Sequence, residues 1–258
     1  MKLVDAHCHL ESEHFVNDLD RVIGEARGAG VVKLLTSSIT PDQWSLSRDI
    51  AARFDEVEFA MGIHPWYIQE RFRDDIRGLY AARDLGASAI GEIGLDRKSE
   101  VVPFAVQMEF FEAQVAAAKE SGLPVIVHCR GAFNELIESL RRIGPPRAGG
   151  VIHAFSGSPE LAEELMRLGL SFSMGGTLTY RNSNKRAAVL KQIYPDHFLL
   201  ETDSPDIPPV QKHGEINRPC YILYNLEAAA EITGDSVEKV AEHTTANAAR
   251  IFNLDLTC

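Results

Sequence analysis

Leu3-Val4-Asp5-Ala6-His7, then a helical stretch from Asn17 to Ala29 closed by Gly30, then Val31-Val32-Lys33-Leu34-Leu35-Thr36, read as strand, helix and strand. A short apolar run, a longer segment of helical period and a second apolar run make one unit of a parallel sheet. The alternation continues through Val57-Glu58-Phe59-Ala60-Met61-Gly62, which follows a helix opened by Thr40-Pro41. Ala89-Ile90-Gly91-Glu92-Ile93 is the fourth run, and Pro124-Val125-Ile126-Val127-His128 the fifth, after a helix around Val106 to Glu120 that Ser121-Gly122 ends. Gly150-Val151-Ile152-His153, Leu170-Ser171-Phe172-Ser173 (after a Pro159 to Leu168 helix with a Gly169 cap) and Phe198-Leu199-Leu200-Glu201-Thr202 complete the set. Eight such units with no linker, repeat or low-complexity break predict an α/β chain in which residues 1–258 form a single (β/α)₈ TIM barrel; an open doubly wound sheet is the competing architecture.

Composition bounds the function. A net charge of -11 over 258 residues disfavours broad adhesion to a nucleic acid backbone, because neutralising phosphates takes clustered Lys and Arg; a cleft for one phosphate end is still compatible with it. The start turns polar at Asp5, unlike a signal peptide, and no apolar run reaches the roughly 18 to 20 residues of a membrane helix. A cytoplasmic protein with no membrane association and no obligate protein partner is expected. Cys8, Cys129, Cys220 and Cys258 form no CxxC pair and are read as inert thiols.

The chemistry sits at the strand ends. His7 and His9 end the first expected strand, Glu92 the fourth, His128 the fifth and His153 the sixth, while Asp203 follows the eighth. Active sites of this barrel form at the C-terminal face of the strands, so these residues are expected to converge. Alternate residues of an extended strand share a side, which lets His7 and His9 reach one cation. Four imidazoles and two carboxylates suffice for two divalent cations, zinc, manganese or magnesium, with a carboxylate between them.

The chain resembles the TatD family of metal-dependent hydrolases, a branch of the amidohydrolase-like barrels. The resemblance covers nearly the whole length. Asp5-Ala6-His7-Cys8-His9, Gly62-Ile63-His64-Pro65, Gly91-Glu92-Ile93-Gly94-Leu95-Asp96, Val127-His128-Cys129-Arg130, His153-Ala154-Phe155-Ser156-Gly157 and Glu201-Thr202-Asp203-Ser204-Pro205 carry it, in the family's order. It implies that His7, His9 and Asp203 hold one metal, that His128 and His153 hold the second, and that Glu92 bridges them. It also implies a phosphodiesterase, a deoxyribonuclease acting from a strand end. Asn217-Arg218-Pro219 and the helix after it resemble less characterised members. Arg97 stands where many relatives carry Tyr, which puts the substrate pocket in question.

Asp203 is the candidate general base, beside Glu92 as the second catalytic carboxylate. Arg130 is a candidate phosphate clamp, His64 faces the same mouth, and Arg97 and Arg181 are further substrate candidates. The expected partners are DNA ends or a small phosphodiester. Trp44, Trp66 and Tyr67 are read first as loop packing, with base stacking as the alternative. Gly175-Gly176 reads as a tight turn rather than a phosphate cradle, and Arg181, Lys185 and Arg186 as a solvated helix face. Two other functions compete: hydrolysis of a small amide, lactone or ester by the same kind of site, and a metal-binding protein without turnover.

Overall fold

In the computed structural model, which describes residues 1–180 and 184–256, eight strands lie side by side in chain order. They are β1 (Leu3–Cys8), β2 (Val31–Ser37), β3 (Val57–Met61), β4 (Ala89–Asp96), β5 (Val125–Arg130), β6 (Gly150–Ile152), β7 (Leu170–Met174) and β8 (Phe198–Leu200). Every ladder is parallel. Between and after them run α1 (Leu19–Gly28), α2 (Trp44–Arg53), α3 (Phe104–Ser121), α4 (Phe133–Ile143), α5 (Pro159–Arg167), α6 (Asn184–Ile193), α7 (Ile222–Thr233) and α8 (Val237–Phe252). The third unit departs from the expected pattern, with two 3₁₀ stretches, Glu70–Arg73 and Asp75–Ala81, in place of an α-helix. There Gly78 packs against the Trp44 ring, 3.1 Å from where a Cβ would stand, and close packing takes precedence over helix propensity.

The period of two sorts the side chains. Val4, Ala6, Leu35, Ala60, Ala89, Ile126, Val151 and Leu199 form one buried cluster with Ala248 and Phe252 of α8, filling the barrel from within. The larger cluster lies between sheet and helices. Closure between the last strand and the first is made beyond the strand ends: the Asp203 amide donates to the His7 carbonyl at 2.9 Å, and the His9 amide to the Ser204 carbonyl at 2.8 Å. Asp5, fully buried, joins the same seam, accepting the Thr202 amide at 2.8 Å on one oxygen and the Thr202 hydroxyl on the other.

Two strands run two or more residues past their expected ends. β4 continues to Asp96, so Glu92 lies inside it, and β5 reaches Arg130, two residues beyond His128. The β4–β5 ladder shifts register between Ile90 and Ile93, and the β1–β2 ladder between Asp5 and Cys8. One extra residue at each place interrupts the alternation next to Glu92 and His7, a device that re-aims side chains.

Gly94 is held by the same crossing. Its φ is +148°, and a Cβ there would stand 1.9 Å from the His128 carbonyl oxygen. Gly94→Ala is expected to cost about 2–4 kcal/mol by forcing β4 and β5 apart, which lowers the thermal midpoint by roughly 5–15 °C. An unchanged midpoint in a melting curve would contradict that close approach.

Candidate metal centre

Four polar atoms face one another at the C-terminal mouth of the barrel. His7 Nε2 lies 3.4 Å from both Glu92 Oε2 and Asp203 Oδ1, and His9 Nε2 lies 3.5 and 3.6 Å from the same two oxygens. These separations are long for hydrogen bonds, and the buried His7 Nε2 has no hydrogen-bond partner among the described residues. They match the about 3.3–3.6 Å between donors that each stand about 2.0–2.2 Å from one tetrahedral cation. The opposite ring nitrogens are engaged: His9 Nδ1 donates to the Ser37 carbonyl at 2.8 Å, and His7 Nδ1 meets the Ser37 hydroxyl at 3.1 Å. In a neutral ring that donates through Nδ1 the lone pair sits on Nε2, so once a cation displaces the proton that, against burial, Asp203, Glu11 and Glu92 favour, His9 turns that lone pair to the centre.

The other oxygen of Glu92 serves a second group. Glu92 Oε1 is 2.8 Å from His153 Nε2 and 3.3 Å from His128 Nδ1, and those two nitrogens are 3.3 Å apart. Glu92 therefore gives one oxygen to each cluster. Burial alone would raise its pKa, yet His153, His64 and His7 hold the carboxyl well below the usual range. In return, and against burial, Glu92 and Asp203 raise His7 to about 10, and Asp96 and Glu92 raise His128 to about 9. Any cation entering the site competes with those protons.

Comparison with known proteins follows the same lines. The family model described as TatD related DNase matches residues 4–253. The chain belongs to the TatD family of metal-dependent hydrolases. The metal-dependent hydrolase YabD of Bacillus subtilis, itself uncharacterized, is 34% identical over 257 residues, covering 98% of this chain and 100% of YabD. The crystal structure of YjjV, the TatD homologue of Escherichia coli, superposes with a TM-score of 0.92 at 29% identity, over 98% of each chain. A TatD-family hydrolase from Entamoeba histolytica shares the fold at a TM-score of 0.84 and 19% identity, over 97% of this chain and 98% of that one.

Within this TatD chain the mouth opens into a cavity of ≈ 730 Å³ lined by His9, Glu92, His128, His153 and Asp203, and by His64, Trp66, Tyr67 and Arg130. His64 lies 3.3 Å from Glu92 Oε1 and accepts the Trp66 amide on Nδ1 at 3.2 Å. Burial lowers its pKa, so the neutral ring carries its proton on Nε2 and presents a donor rather than a lone pair. Arg130 is engaged only through Nε among the described residues, at 2.9 and 3.1 Å from the Asp96 oxygens, with its guanidinium 5.2 Å from the centre of a Trp66 ring. No helix among the described residues is long and apolar enough to cross a membrane.

The remaining singled-out residues lie away from the mouth or serve the packing. Arg97 is not brought to the cavity: its guanidinium pairs with Glu135 and stacks 4.1 Å over Phe104, because β4 ends just before it and turns it outward. Trp44 donates to the Gly62 carbonyl and packs on the core, away from the mouth. Lys185, exposed as a solvated helix face requires, donates to the Ser156 carbonyl and the half-buried Arg186 to the Thr177 carbonyl, while Arg181 lies outside the described residues. Gly176 abuts the Ile207–Pro209 backbone, a close approach that suits a turn and leaves no phosphate cradle. Cys8 and Cys129 are buried free thiols and Cys220 is half-buried, whereas Cys258 lies outside the described residues.

Sequence reasoning overlooked several residues that hold the ligands in place. Glu11 lies 3.5 Å from His9 Nδ1 and accepts the Thr36 hydroxyl. Glu201, fully buried, accepts the Ala154 amide at 2.8 Å and the Ser173 hydroxyl, tying the loop after His153 to the last strand. Asn217 donates to the carbonyls of Thr202 and Asp206 at 2.7 Å, clasping the loop that carries Asp203. Acid and amide side chains beside expected ligands were the available signal, but nothing local says which backbone group each will reach.

Proposed function

We propose that residues 1–258 act as one phosphodiesterase domain that cleaves DNA ends or small phosphodiesters, using two divalent cations. The observation that carries this reading is the division of Glu92, with Oε2 facing His7 and His9 and Oε1 facing His128 and His153. His7, His9 and Asp203 would hold one cation, His128 and His153 the other, with Glu92 between them. Zinc, manganese or magnesium bound there would polarise the phosphoryl group and acidify water. The chain's own residues do the rest. Asp203, at the cavity wall, would be raised by burial but is held below the ordinary carboxylate range by the neighbouring His7 and His9, so it stays ionised and accepts the proton of the attacking water. His64 Nε2 donates toward the reacting group, and Arg130 receives a phosphate oxygen.

Phosphodiester rather than amide or lactone chemistry is supported by the family description and by Arg130 being the one Lys or Arg on the described cavity wall. Glu13 and Asp206 on the same wall, with the net charge of -11, favour short strands over long ones.

Metal content measured beside hydrolysis of a chromogenic phosphodiester, a labelled single strand, a lactone and an amide tests the reading in wild type and His128→Ala. About two cations per chain and phosphodiester cleavage lost in the variant are expected. Metal with carbonyl hydrolysis alone would replace the assignment. Substitutions at the rim separate the two arginines. Arg130→Ala is expected to raise KM about 10- to 100-fold, the worth of a charged hydrogen bond. Arg97→Ala is expected to leave KM within about twofold, since exposed ion pairs contribute little. Steady-state kinetics showing the reverse order would restore Arg97 to the site.

A further inference from the structure

Asp96 closes the Gly91–Asp96 motif, is 0% exposed, and receives more donors than a turn requires. Its Oδ1 accepts the amides of Lys98 at 2.8 Å and Ser99 at 3.1 Å, an ordinary cap for the turn after β4. Its Oδ2 accepts three side chains instead: His128 Nε2 at 3.0 Å, Trp66 Nε1 at 2.7 Å and Arg130 Nε at 2.9 Å. Its own backbone is splinted by the buried Gln107 of α3, whose Oε1 accepts the Asp96 amide at 2.8 Å and whose Nε2 donates to the Asp96 carbonyl at 3.2 Å. One rigid carboxylate thus touches both a candidate cation ligand and the cavity's arginine.

We propose that Asp96 is a positioning residue shared by His128 and Arg130, setting which ring nitrogen His128 turns to Glu92 and which guanidinium edge Arg130 turns to the phosphate. This rests on the phosphodiesterase reading for the identity of the anion at Arg130. In the neutral ring a carboxylate at Nε2 keeps the proton there, and Nδ1, 3.3 Å from Glu92 Oε1, is left with its lone pair toward the second cluster. Binding Arg130 through Nε alone holds the plane of the fork while leaving the Nη edge for a bidentate oxygen pair. The side chain of Arg130 is 49% exposed, so without Asp96 and the Trp66 face it would sample many rotamers.

Zinc titration calorimetry and KM for the chromogenic phosphodiester, compared in wild type, Asp96→Ala and Arg130→Ala, test the coupling. Asp96→Ala is expected to weaken one of the two zinc equivalents by about 10- to 100-fold and leave the other near its wild-type affinity. It should also raise KM as Arg130→Ala does, whereas Arg130→Ala leaves both zinc equivalents unchanged. Two equivalents of undiminished affinity in Asp96→Ala overturn the proposal. A structural role alone would weaken both equivalents together, and that result overturns it too. Should Asp96→Ala fail to fold, the metal-free wild type decides by two-bond ¹H–¹⁵N correlation of the histidine rings, recorded at a pH high enough for the rings to be neutral. A proton on Nε2 supports Asp96 as the positioning residue, and a proton on Nδ1 overturns it. That measurement holds whether or not the wild type binds zinc, so failure of the metal reading is seen separately, in the wild-type titration.

Discussion

Glu92→Gln is expected to abolish occupancy of the paired site and, with it, hydrolysis. The carboxylate gives Oε2 to His7 and His9 and Oε1 to His128, His153 and His64, all within 3.5 Å. An amide cannot serve both groups, since it has no charge and one of its two ends is a donor. Elemental analysis should show bound metal falling from about two to below one per chain. Turnover should drop by roughly 10³-fold or more, because charge stabilisation worth several kcal/mol leaves with the cations. Melting curves provide the folding control. Two cations retained with wild-type turnover would remove Glu92 from the bridging role.

Asp203→Asn should separate catalysis from architecture. The residue sits at φ +57°, a left-handed conformation that Asn adopts as readily as Asp, so the backbone keeps its course. The hydrogen bond from the Asp203 amide to the His7 carbonyl that helps close the barrel involves only the main chain and survives the change. What is lost is the proposed proton acceptor and one anionic oxygen facing His7 and His9. Turnover is expected to fall by about 10²–10⁴-fold with the far-ultraviolet circular dichroism spectrum unchanged. Undiminished turnover would remove Asp203 as the base and move attention to the remaining carboxylates of the cavity wall.

The order of strands, their parallel pairing and the convergence of the candidate ligands were legible because they follow from local periodicity. Apolar runs separated by helical segments admit few topologies, and the barrel puts every strand's C-terminal end at one mouth. The HxH spacing of His7 and His9 carried over into space, as both Nε2 atoms face Glu92 and Asp203. Less was legible where the answer depended on residues distant in sequence. Arg97 and Arg130 are both cations at strand ends, yet one pairs with Glu135 outside the mouth and the other with Asp96 inside it. Asp96 was in plain view in the quoted motif and drew no role, since its partners His128 and Arg130 stand 32 and 34 residues away.

The sequence by itself determined an alternating α/β chain, the residues able to bind cations, and a single face on which they gather, all properties of short windows and of fold-wide geometry. Only the tertiary structure decided which nitrogen of each imidazole looks inward, how Glu92 shares its oxygens, and that Asp5 bonds Thr202 across 197 residues at the seam. The physical reason is that tautomer, ladder register and hydrogen-bond partner are set by what the folded chain brings alongside, and a one-residue register shift such as that between Ile90 and Ile93 re-aims a side chain without leaving a mark in hydrophobic periodicity.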